Sequence, residues 1–253
     1  GMKKIWLGMF LLIFIHNAQA QLVNIENQRV QNDSITRVTL LDLRYNFQTN
    51  NQEELSLINF SAIHQYKTKD LQNYFLLLAN LEYSKANGDE LSNAGLLHFR
   101  YNRKINSKLK LEAFLQYQFN RILGINMRNL IGVGPRYKVN KSSKLMLYIG
   151  SVFMQEFERT LEDKTRSYQR ISNYLSLTLK NMQNTIELNS IMYYQPNVTY
   201  WKDYRLSSQT SLAVNITSKL QFTTNLNYGF DAYAPINVSK RNILISNGLK
   251  LNL

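Results

Sequence analysis

Between Leu109 and Asn120 the chain alternates without a break. Leu109, Leu111, Ala113, Leu115, Tyr117 and Phe119 take every second position, and mostly polar residues (Lys110, Glu112, Phe114, Gln116, Gln118, Asn120) lie between them. Successive side chains of a strand point to opposite faces, so this period gives one greasy face and one wet face. The rhythm recurs along the chain. Leu41, Leu43, Tyr45 and Phe47 alternate with Asp42, Arg44, Asn46 and Gln48, and Leu97, Phe99 and Tyr101 with His98, Arg100 and Asn102. Met127, Ile131, Val133 and Tyr137 alternate with Arg128, Gly132, Gly134, Arg136 and Lys138. Further stretches begin near Gln72, Leu145, Leu175, Ile186, Tyr204, Leu220 and Ile243. The stretch Glu54 to Tyr66 has two competing phases, Leu55, Leu57 and Ile63 against Ile58, Phe60 and Tyr66.

About twelve strands result, each close to the 9–11 residues that a tilted strand needs to cross hydrocarbon. An even number suits a single-chain membrane barrel. The spacing predicts short turns after the fourth, sixth, eighth and tenth strands. It predicts longer loops after the third (Ser84 to Ser92), seventh (Glu158 to Arg166), ninth (Pro196 to Asp203) and eleventh (Ala232 to Lys240). Short turns on the periplasmic side and longer loops outside belong to membrane barrels; a β-sandwich has no need of such alternation.

The amino end reads as an export leader over residues 1–20. Lys3 and Lys4 precede an apolar run, Ile5 to Ile15, and Ala18-Gln19-Ala20 is a small-x-small cleavage site. Residues 21–36 read as a periplasmic lead-in and residues 37–253 as the barrel. The chain has no cysteine, so it forms no disulfide and no thiolate metal site. The net charge of +13 becomes +11 without Lys3 and Lys4. With export, that excess argues against nucleic acid and for anionic lipid headgroups or an anion-attracting interior.

Ile243, Ile245, Leu249, Leu251 and Leu253 alternate to the end of the chain, broken by Asn247. Ser246, Gly248, Leu251 and Leu253 fit the pattern polar-x-Gly-x-x-apolar-x-apolar, which resembles the closing strand of outer-membrane barrels. That resemblance implies two partners: outer-membrane lipids, and the assembly machinery, which would read Ile243–Leu253. The stretch Leu96 to Gly150, with Tyr101, Arg128, Gly132, Gly134 and Tyr137, resembles a family of salt-induced outer-membrane proteins. The resemblance implies an exported barrel and brings no chemistry with it.

No motif asks for a cofactor or a metal. Gly132-x-Gly134 lacks the lysine and the strand-to-helix turn of a nucleotide loop, so relief of crowding is the expected use, and Pro135 should mark a bulge or a strand end. His98 falls on the polar face, and Ser61 lies three residues before His64 and hence on the opposite face; neither pairing offers a nucleophile with its base. Glu156, Glu158, Glu162 and Asp163, diluted by Arg159, Lys164 and Arg166, read as a solvated outer loop. The most informative surface is the inner face, with Asp42, Arg44, Arg100, Glu112, Arg128, Arg136, Glu187 and Arg205 as the lumen-lining candidates. Either these charges interlock into a sealed polar core, or they line a narrow, positively biased water path for small anions. The expectation is a membrane-spanning antiparallel up-and-down β-barrel that is structural or a narrow channel, and not an enzyme. A lipid-directed outer-membrane hydrolase and a soluble exported β-sandwich binding protein are the alternatives.

Overall fold

The computed structural model describes residues 35–50, 53–234 and 239–251. The expected leader lies outside the described residues, as does the lead-in apart from Ile35 and Thr36. Twelve strands follow in order: β1 Arg37–Asn50, β2 Glu53–Lys67, β3 Asn73–Ala86, β4 Asp89–Lys104, β5 Leu109–Asn120 and β6 Ile125–Lys141. Then come β7 Leu145–Thr160, β8 Thr165–Lys180, β9 Ile186–Pro196, β10 Tyr204–Asn215, β11 Leu220–Asp231 and β12 Arg241–Leu251. They form one sheet in sequence order, each antiparallel to the next. Among the described residues the strands make this one sheet and not the two stacked sheets that the soluble alternative requires.

The sheet curls. Strands three apart lie about 14 Å apart in a flat sheet, with their side chains projecting in parallel. Yet Arg205 on β10 meets Glu156 on β7 at 2.9 Å, and Tyr174 on β8 donates its hydroxyl to Glu112 on β5. Only a rolled wall brings such residues together, and the wall is an up-and-down β-barrel. Outside are Leu43 (73% exposed), Leu115 (53%) and Leu249 (69%); inside, His98 and Glu112 are each 1% exposed. An apolar wall that continues around many strands is far beyond what a water-facing surface carries; it is the lipid face of a strand-built membrane protein. Among the described residues no ladder joins β1 to β12. Residues of both end strands are exposed on both faces, so the closure expected of the final strand is not among the described contacts.

Three local expectations are corrected, and one open phase is settled. The loop Ser84 to Ser92 is instead a continuous hairpin. Asn87 (φ 50°) and Gly88 (φ 90°) both take positive φ, the backbone of a two-residue turn that follows strand twist. The ladder runs up to Ala86 and Asp89 with one bulge at Ser84/Lys85. The rim carrying this turn therefore mixes tight hairpins with longer links, and the expected length contrast holds only for the later strands. The charged stretch Glu158 to Arg166 is mostly strand, because β7 runs to Thr160 and β8 starts at Thr165. Pro135 neither bulges nor ends β6. The β6–β7 register is the same on both sides of it, and the ladder simply lacks pairs at Gly134 and Pro135. The open phase of β2 is settled by its neighbour: Gln65 pairs with Leu76 and Ser61 with Asn80, so Leu57, Asn59, Ser61, Ile63 and Gln65 point inward.

Candidate functional site on the inner face

Register places all eight candidates on the inner face. Asp42 and Arg44 lie on β1 and pair with each other at 2.7 Å, both exposed. Glu187 on β9 pairs with Lys180 at 3.1 Å near the short-turn rim. The other five divide between two buried networks.

The first network centres on Glu112, 1% exposed on β5. Arg100 and Arg136 each approach it at 3.7 Å from the neighbouring strands. Asn102 donates to one carboxylate oxygen at 2.7 Å and Tyr174 donates to the other. Arg136 also lies 4.2 Å over the ring of Tyr148. A buried carboxylate is tolerable only with its lone pairs satisfied and its charge countered, and here both conditions are met.

The second centres on Glu156, which is fully buried on β7. Arg205 contacts it at 2.9 Å, Arg128 at 3.3 Å and Arg170 at 3.4 Å. Arg128 donates to Glu158 through Nε at 2.8 Å. Arg170 holds both carboxylate oxygens of Asp203, at 2.9 and 3.0 Å, as well as the Asp203 and Gln195 carbonyls. The link 197–203 is thereby folded inward at its rim, and Asn197 adds a further bond to Asp203 at 3.0 Å. Arg205 donates through Nε to Asp231 on β11 at 2.9 Å. Glu156 and Glu158, expected in a solvated loop, are thus interior residues. Their spacing from Tyr148, Val152 and Met154 in steps of two is the sequence signal that places them there.

Glycines show that the interior is uneven. A Cβ on Gly132 would stand 2.5 Å from Phe114, on Gly150 2.2 Å from Tyr174, and on Gly134 2.0 Å from the backbone oxygen of Ser151. Small residues there let β6 and β7 approach and let large side chains fill the space, as expected of Gly132 and Gly134. A Cβ on Gly229, on the inner face of β11, would meet nothing within 4 Å. Packing is therefore dense from β3 to β9, around Phe114, Leu130, Val152, Met154, Tyr174, Ile191 and Tyr193. It is loose along β10, β11 and β12, where inner residues are half-buried or exposed.

The two histidines among the described residues stand apart. His98 is inside, stacked on Phe114 with ring centroids 5.4 Å apart and hydrogen-bonded to Gln116 at 2.9 Å. His64 is on the outer face, 2.8 Å from the Thr39 hydroxyl, and Ser61 points inward. Neither forms a Ser-His pair.

A rolled antiparallel sheet, apolar outside and polar within, defines a membrane-spanning β-barrel protein. The chain belongs to the family described as "Protein of unknown function, DUF481", whose pattern matches residues 41–249. No protein of curated function matches it. Among solved structures it is similar to the NanC porin, at 9% identity over 85% of this chain and 100% of that one, with a TM-score of 0.47. It is also similar to the KdgM porin (11% identity, 85% and 99% covered, TM-score 0.45). A third is titled as a bacterial polysaccharide outer membrane secretin (8% identity, 84% and 89% covered, TM-score 0.46).

Proposed function

We propose that the protein is an outer-membrane β-barrel forming a narrow channel for small solutes, with its path along the loosely packed side of the interior. The observation that carries this is the asymmetry of the inner wall. Two ion-pair networks fill one side, while the space at Gly229 on the other is open. A barrel built only as a plug has no reason to leave one side lined with small polar residues and unfilled. The leader and the closing-strand pattern support placement in the outer membrane, with Ile243–Leu253 read by the assembly machinery and the outer wall solvated by lipid. The likeness of Leu96–Gly150 to the salt-induced outer-membrane proteins supports the same placement. The excess of basic over acidic residues favours anions, through a field acting along the whole lumen. His64 meets the Thr39 hydroxyl at 2.8 Å and His98 meets Gln116 at 2.9 Å, so among the described residues neither forms the Ser-His pair that the hydrolase alternative invokes.

Conductance of the purified protein in planar bilayers tests the reading. Discrete steps with anion preference are expected, and Arg128→Ala with Arg136→Ala should shift the ratio toward cations. A protein that folds, inserts and never conducts is a sealed structural barrel, and the channel reading is then wrong.

A further inference from the structure

The register assembles a feature that no single strand displays. Thr178 pairs with Asn189, Asn189 with Ser211, Ser211 with Asn225, and Asn225 with Ser246. These five residues form one rung across five strands on the inner face, and each carries a neutral hydroxyl or amide. The Thr178 hydroxyl already donates to Asn189 at 2.7 Å, tying the rung to the packed side. The adjacent rung brings Gln209 opposite Asn227, and the next brings Ser207 opposite Gly229. The hydroxyl oxygen of Ser207 is buried and has no hydrogen-bond partner among the described residues. On the inner face of β10 and β11 the charged residues are Arg205 and Asp231, which pair with each other at 2.9 Å.

Resting on the channel reading, we infer that the permeant class is small polyhydroxylated solutes, such as polyols and monosaccharides, recognised by this neutral wall at contact. The physical reason is desolvation. A solute hydroxyl that enters a narrow lumen gives up water on one side and must exchange that bond for another. Hydroxyls and primary amides both donate and accept, so they replace lost water whichever way a solute hydroxyl points. A guanidinium only donates, and the arginines of the interior are engaged with carboxylates. The long-range positive field biases which ions enter; the rungs decide between solutes of equal charge.

The test uses the full mature barrel in liposomes, with swelling rates in xylitol and in trimethylglycine. The second solute is smaller, also neutral overall, and has no hydroxyl. Xylitol should enter about threefold faster, the effect of roughly one net hydrogen bond. Asn225→Ala with Asn227→Ala should abolish that preference. Gly229→Phe, which fills the open space, should slow xylitol entry toward the rate of protein-free vesicles. Faster entry of trimethylglycine, equal rates, or a preference surviving the double substitution would overturn this inference and leave the channel standing. Absence of both swelling and conductance would overturn the channel reading and this inference with it.

Discussion

Arg205 on β10 reaches across the interior to Glu156 on β7 at 2.9 Å and, through Nε, holds Asp231 on β11 at 2.9 Å. One side chain thus joins the packed part of the wall to the loose part.

Glu156 faces Arg128, Arg170 and Arg205 at once, so replacing it with glutamine leaves three guanidiniums without their common counter-charge. Breaking a buried ion pair from one side typically costs about 3–5 kcal/mol. Glu156→Gln should lower stability by roughly that amount, read from denaturant unfolding of the reconstituted barrel. Glu162→Gln, in the exposed turn, should leave the unfolding midpoint where it was, because a surface pair such as its 2.7 Å contact with Lys164 contributes little.

Gly134→Ala should fail to assemble, since the new Cβ would fall 2.0 Å from a backbone oxygen that cannot rotate away. Gly229→Ala should fold normally. The readout is the fraction of protein showing heat-modifiable gel mobility.

Leu115 stands on the outer wall among Leu97, Phe99 and Ile131, where lipid is the solvent. An arginine there should destabilise the inserted barrel by about 2–4 kcal/mol, the cost of a cation at mid-membrane on a barrel's lipid face. Gln118→Glu, inward on the same strand and paired opposite Arg128, should cost less, because a cation is there to meet the new charge. Unfolding from lipid vesicles distinguishes the two.

The end strands carry their own prediction. Unpaired backbone groups in hydrocarbon cost several kcal/mol each, so in a bilayer the amides of β1 and β12 should be protected from hydrogen exchange as strongly as those of β5. Fast exchange along both strands in lipid would mean that the wall stays open there.

Much of this was legible from alternation alone. A period of two assigned inside and outside for most strands. The phase of β2 was not legible, because Leu55, Leu57 and Ile63 compete evenly with Ile58, Phe60 and Tyr66; its pairing with β3 decides it. Glu156 and Glu158 were misplaced for a physical reason. Dense charge ordinarily signals water, and only arginines arriving from β6, β8 and β10 make those positions habitable. The two-sided interior was invisible for the same cause: it depends on which strands curl to face each other, and local sequence does not encode that. Asn87-Gly88 was legible as a turn, but not as one tight enough for the ladder to run up to it on both sides.

The link at residues 197–203 is bolted to the wall by Arg170 through Asp203. In the proposed channel, a link held by fixed ion pairs does not behave as a swinging gate. Currents through such an orifice would be steady, free of flicker at rising voltage, and molecular sieving would be set by geometry frozen at assembly.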